Sequence, residues 1–360
     1  MKTIPLVLVV CTACSGASQA RRADPEVSTV DVHHFVTAFS QLVPGDTSCA
    51  PLAAYLQQES RGLAAYRHKF SVTQHDLCAA IRRSPRRYAG LAAKLGPLDS
   101  AAITVRTVFG RFAALHSMRT VPAVYFVVGN GISGGSTTRG RDPIILIGME
   151  LNHSVSGLPW TIAHEMVHTQ QDYPWLGSLT GGPKFLRGTL LRQSIMEGSA
   201  DFIAELITGQ PKRNSYAESH EAELWRQFRR DADNKDYSQW LYNGWNAKAL
   251  GDRPADLGYW MGYRITKSYY ERAADKRQAI QDILTIRDFE KFLTASGYTG
   301  GAMSGAVTMI RSSYYACAVE PAAAVPAHCA RATFPNRIFA WSRFAPRTPI
   351  SSSARLMMPI

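Results

Sequence analysis

The stretch PWTIAHEMVHTQQDYP, residues 159–174, decides how the chain is read. Pro159 is placed to start a helix at Trp160, and Pro174 to stop it just after Gln171. Inside that helix His164 and His168 are four residues apart, on one face and about 6 Å apart along the axis. Glu165 is turned by about 100° from His164. Two neutral imidazoles at that spacing suit a zinc ion. The adjacent carboxylate cannot easily ligate the same ion, but it can reach a water that the ion activates, as a general base must. Trp160, Ile162 and Val167 give the flanks the character of a half-buried helix. The bland alternative is a structural His/Glu face.

A third ligand has to come from elsewhere. The position six residues after His168 is Pro174 and Gln171 stands where a glycine would be needed, which excludes the metzincin pattern. Glu197 is the best candidate. It lies in Ile195-Met196-Glu197-Gly198-Ser199-Ala200-Asp201, within a helix expected over Leu191 to Ile207 and closed by Gly209. Ile195, Phe202, Ile203 and Leu206 make that helix apolar, so a carboxylate in it needs a partner. Gly198, Ser199 and Ala200 let it pack closely on a neighbour. Asp201, one turn on, suits the acceptor that orients a ligating imidazole. Glu205 continues the row toward the surface, and His220, Glu218 and Asp172 are weaker candidates for the metal.

These residues resemble a known pattern. His-Glu-x-x-His followed by Glu-x-x-x-Asp is that of the gluzincin zinc peptidases. More closely, the chain is similar to a bacterial family of predicted zinc-dependent proteases. The likeness runs through Ala163 to Gln171, Glu197 to Phe202 and Leu257 to Ile265, and is expected to span residues 30–300. It implies His164, His168 and Glu197 as ligands of one zinc ion, Glu165 as the base and Asp201 as the residue behind a histidine. It also implies a zincin-like core, a small β-sheet packed on active-site helices. The block at 257–265 supplies candidates for the donor that stabilises an oxyanion, Tyr259 and Tyr263, with Arg253 and Arg264 nearby. A Tyr-rich helix is as readily plain core. Gln170 and Gln171 are read as structural.

The rest of the chain frames this centre. Residues 1–20 read as an export signal: Lys2, an apolar run from Ile4 to Val10, and Ser18-Gln19-Ala20 as a cleavage site. Thr12-Ala13-Cys14 leaves open a lipid anchor at Cys14 and, through it, membrane association. Four cysteines follow the leader, Cys49, Cys78, Cys317 and Cys329; the shortest loops pair Cys49 with Cys78 and Cys317 with Cys329, as export favours. Residues 21–117 read as an N-terminal helical subdomain with no chemistry of its own. Helical spacing is seen from Val32 to Leu42, in a stretch opened by Ser71, and from Ile103 to Leu115. Strands are expected at Val121–Val128 and Pro143–Gly148, either as a plain hairpin or as an edge beside the metal that pairs with an extended substrate. Residues 118–300 form the catalytic region, with further helices at 218–232, 258–273, 276–284 and 287–296. Residues 301–360 are an Ala/Pro/Arg-rich extension.

The net charge of +12 is scattered. Six arginines after residue 300 face only Glu320, and no basic stripe interleaves with aromatics, so nucleic acid is not an expected partner. The sequence therefore predicts a mainly helical α+β protein, an exported zinc peptidase acting on a peptide or protein. The rival reading is a non-catalytic zinc-binding envelope protein or lipoprotein. The intact Glu165 argues against it, because a structural zinc site has no need of a base.

Overall fold

Two apolar runs, Ala123–Val127 (β2) and Ile144–Gly148 (β4), form the middle of a four-stranded sheet of order β1-β2-β4-β3. β1 is Val27–Ser28 and β3 is Gly135–Thr137. The computed structural model describes residues 24–138, 140–152, 154–174, 188–244 and 250–301. β2 pairs in parallel with both β1 and β4, and only β3 runs antiparallel, against β4. Of the two arrangements left open for β2 and β4, the plain hairpin is thus not formed. The connection between them is taken up by β3, three residues in a glycine-rich loop that periodicity could not reveal. Every residue of β4 is buried, as are four of five in β2, the run expected of strands covered on both faces.

Helices supply the cover. The N-terminal part holds α1 (Val30–Ser40), α2 (Pro51–Gln57), α3 (Arg61–Phe70), α4 (Gln74–Arg83), α5 (Pro85–Ala89), α6 (Leu95–Leu98) and α7 (Ala101–Leu115). Ser71, expected to open a helix, instead ends α3 in the left-handed conformation, and α4 starts at Gln74 behind a Thr73/Asp76 capping box. α3 lies against the sheet so closely that a methyl group on Gly62 would sit 2.2 Å from the Tyr125 side chain. Cys49, just before α2, is disulfide-bonded to Cys78 of α4.

The motif helix is α8 (Leu158–Gln170), which packs on β3 and β4 and on α9 (Leu190–Thr208). Sixteen of the nineteen residues of α9 are buried, so it is the central helix. After α10 (Ser215–Ser219) and α11 (Glu221–Asp231), α12 (Leu257–Arg272) crosses α9. A methyl group on Gly262 would lie 1.7 Å from the Ser194 carbonyl oxygen, and one on Gly198 2.0 Å from the Tyr263 nitrogen. The two backbones therefore touch, as the small residues of α9 led one to expect. α13 (Lys276–Leu284) and α14 (Phe289–Ser296) complete the array.

The architecture is mainly helical α+β with one small mixed sheet. One core runs from Val32 to Tyr298, and all described residues fall in one compact unit. Among them no helix is long and apolar enough to cross a membrane. Residues 1–20, read as an export signal, with Cys11 and Cys14, the expected Cys317–Cys329 pairing and nearly all of the extension lie outside the described residues.

Candidate metal centre

α8 presents His164 and His168 to the same turn of α9 that carries Glu197. The two Nε2 atoms are 3.0 Å apart. Glu197 Oε2 is 3.1 Å from His168 Nε2 and 3.3 Å from His164 Nε2. Ligand atoms around a tetrahedral zinc with bonds near 2.0 Å are about 3.3 Å apart, so this triangle fits three corners of such a site. Two imidazoles and a carboxylate are also the donor set that zinc takes in hydrolytic sites. Among the described residues these three form the only such cluster of His, Cys, Asp or Glu.

Each of the three is held from behind. His164 Nδ1 donates to Asp201 Oδ1 at 2.9 Å. Gln171 holds His168 in a way that settles its tautomer. The Gln171 amide nitrogen faces the Met196 carbonyl at 2.8 Å and Ser199 Oγ at 3.0 Å. A carbonyl can only accept, so Gln171 Oε1 is the atom turned to His168 Nδ1, at 2.8 Å, and that nitrogen carries the proton. Both Nε2 atoms are thereby turned to the centre, the arrangement that fixes imidazole ligands once a metal displaces any proton there. The free oxygen of Glu197 accepts from the Tyr242 hydroxyl, with Gln193 Nε2 3.5 Å away. Asp201 in turn is paired with Lys212, whose ammonium also lies over the Tyr259 ring at 5.6 Å.

The electrostatics follow from burial and pairing. Burial opposes protonation of His164, but Asp201 and Glu197 outweigh it and lift its pKa to about 10. Burial would raise Glu197, yet His168 and His164 hold it well below the usual carboxylate range. Asp201 is lowered in the same way, chiefly by Lys212 against its own burial. Glu165, only 7% exposed, goes the other way: burial pushes it up, against the pull of His164, His168 and Lys69. It lies against β3, where a methyl group on Gly135 would be 2.5 Å from Glu165 Oε1.

The two candidate tyrosines part company. The Tyr259 ring stands 6.2 Å from that of His164 and 6.0 Å from that of Tyr242, beside the ligands. Tyr263 is not brought there. One turn further along α12, its hydroxyl donates to Glu205 and accepts from Lys267, because that turn faces the next turn of α9. Arg264 pairs with Glu221 and Arg253 binds the Gln239 carbonyl, so neither reaches the ligands. Asp172 is engaged by Arg119 and Arg287, His220 bonds locally to Tyr216, and Glu218 faces Arg213. Gln170, read as structural, ties α8 to Thr120 and Arg119.

Sequence reasoning missed Gln171 as the partner of His168, and Tyr242 and Lys212 altogether. Gln171 is the residue at which α8 unwinds (ψ 120°), so helical periodicity could not show where it points. Tyr242 lies in an irregular loop with a positive φ of 55°, where no pattern signals a contact to a helix 45 residues earlier.

A largely buried His-His-Glu triad on two packed helices, with a second carboxylate on the neighbouring position of the motif, could hold a metal ion in an HExxH…ExxxD arrangement. Residues 122–287 match a family described as "Predicted Zn-dependent protease (DUF2268)", a stretch that takes in all three blocks of the resemblance and is shorter than the 30–300 expected. Neither curated proteins nor solved structures yield a match to the chain.

Proposed function

We propose that the protein is a zinc-dependent peptidase with His164, His168 and Glu197 as the ligands of one ion and Glu165 as the general base. The observation that carries this reading is the triangle of ligand atoms at 3.0–3.3 Å with Glu165 packed between it and an open strand edge. The description of the matching family supports the metal and the reaction class. A zinc ion held there supplies Lewis acidity to a peptide carbonyl and to the attacking water. Glu165 takes the proton of that water as the C–O bond forms, then delivers it to the nitrogen as the C–N bond breaks. Its burial raises its proton affinity and so suits both halves of the task. The Tyr259 ring stands beside the ligands, which makes its hydroxyl the candidate to donate to the developing oxyanion, whereas the Tyr242 hydroxyl already spends its proton on Glu197. Asp201 and Gln171 keep the imidazoles in the ligating tautomer.

The reading extends to location. The leader at residues 1–20 and the Cys49–Cys78 disulfide support export to an oxidising compartment, with Cys14 as an alternative lipid attachment point.

The test is a peptide-library digest with and without chelator, run on the wild type and on Glu165→Gln. Cleavage should require metal, and the variant should keep its zinc by elemental analysis while losing about 10²–10⁴ in turnover. Wild-type turnover in that variant would remove Glu165 from the mechanism.

A further inference from the structure

Tyr242 reaches Glu197 from a backbone conformation that an aromatic residue rarely adopts. Its φ of 55° lies in the left-handed region, where a bulky side chain is an outlier. Burial of the ring does not hold it there, since the residue is 40% exposed. Such strain persists only where the surroundings over-determine it. Here both neighbours are tied to the start of α12. On one side Trp240 and Leu241 are buried, the Trp240 carbonyl accepts from Gly258 N at 2.8 Å, and a methyl group on Gly258 would meet the Leu241 side chain at 2.7 Å. On the other side Asn243 and Asp256 bond each other twice. Asn243 N donates to Asp256 Oδ1 at 3.1 Å, and Asp256 N to Asn243 Oδ1 at 2.8 Å. Asp256 is itself left-handed, with φ 62°.

The Tyr242 side chain is turned the other way, onto α9. Its hydroxyl donates to Glu197 Oε1 and accepts from Nε2 of Gln193, one turn before Glu197. A tyrosine hydroxyl has a single proton. With the Gln193 amide donating to that oxygen, the proton is committed to Glu197 Oε1. The other carboxylate oxygen, Oε2, is the one that stands 3.1 and 3.3 Å from the two imidazole Nε2 atoms. The two oxygens of one carboxylate thus have different partners, one of them set by a loop outside the motif helices.

We propose that Tyr242 is a positioning residue that keeps Glu197 a one-oxygen ligand. The inference rests on the metal half of the proposed function and holds whatever the substrate is. A carboxylate can bind an ion through one oxygen or through both. Bound through both, it fills a position that a hydrolytic zinc site keeps open for water or substrate. The hydrogen bond to Oε1 opposes this, because that oxygen would have to leave the phenol proton before turning to the ion. The strained backbone, fixed on both sides to α12, holds the hydroxyl where it has this effect.

The test compares full-length wild type with Tyr242→Phe, each stripped with a chelator and reloaded with cobalt(II). The variant keeps the ring, and with it the edge contact to Tyr259, and removes only the hydroxyl. Cobalt(II) absorbs visible light several-fold more strongly in four-coordinate than in five- or six-coordinate sites. Tyr242→Phe should therefore lose intensity in the visible bands as Glu197 turns its second oxygen to the ion. An unchanged spectrum in a variant that binds cobalt overturns the proposal. A crystal structure of the zinc-loaded wild type with Glu197 bound through both oxygens overturns it without any variant. A wild type that takes up neither zinc nor cobalt overturns the metal reading as well, which separates the two failures.

Discussion

The imidazoles of the candidate metal centre are oriented by unlike partners, a charged Asp201 behind His164 and a neutral Gln171 behind His168. Outer partners of this kind typically carry 10–100-fold in metal affinity. Asp201→Asn should weaken zinc binding by about that range, and Gln171→Ala by about the lower end of it, since the amide orients without adding charge. Competition with a chromogenic chelator measures both, and unchanged affinity in either variant removes that residue from the centre. At this scale the motif was legible wherever helical spacing does the work: His164, Glu165 and His168 share one helix, and Glu197 and Asp201 share another. Gln171, Tyr242 and Lys212 were not, because each reaches the centre from a position where the chain has left its helix. Tyr263 failed for the opposite reason. Helical spacing put it on the face of Tyr259, but one turn of rise carried it past the ligands to Glu205.

Among the elements, the crossing of α9 over α12 sets the geometry of the site, because α9 brings Glu197 and α12 brings Tyr259. The backbones meet at Gly198 and Gly262 with no room for a side chain. Gly262→Ala should force the helices apart and destabilise the protein by about 3 kcal/mol or more, read as a lowered urea midpoint. A change below about 1 kcal/mol would mean that the crossing tolerates a shift. The small residues of α9 announced this contact in the sequence. The sheet was only half announced. β2 and β4 were visible as apolar runs, but strand direction depends on pairing between distant segments. β3 is too short, and too rich in neighbouring glycine, to carry a period.

The molecule as a whole depends on the N-terminal helices more than composition suggested. Read as a subdomain without chemistry, residues 21–117 share the core of the sheet, and α3 carries Lys69 to the strand edge. The Cys49–Cys78 bond closes a separation of 29 residues within this part. Chain entropy assigns such a link about 3–4 kcal/mol. Cys49→Ala/Cys78→Ala should lower stability to denaturant by about that amount and leave zinc affinity unchanged, since neither cysteine touches the ligand helices. A loss of metal binding in a variant that remains folded would show that the N-terminal helices support the centre itself. The fold class was legible because the long helices and both main strands advertise their periods. The short helices α2, α5 and α6 span seven residues or fewer, too few to show one.

The five consecutive residues from Glu197 to Asp201 have a consequence for how this chain tolerates change. Glu197 faces His164 and His168, and Gly198 admits the α12 backbone. Ser199 accepts from Gln171 and meets the Tyr173 hydroxyl, Ala200 has no exposed surface, and Asp201 steadies His164. No neighbour in this single turn can absorb the loss of another, since each meets a different part of the molecule. A substitution scan across these five positions would separate two kinds of damage within one turn of helix. The two acidic ends would report on the ion and the two small residues on the assembly of the core. Ser199, joined to both, would report on the link between them.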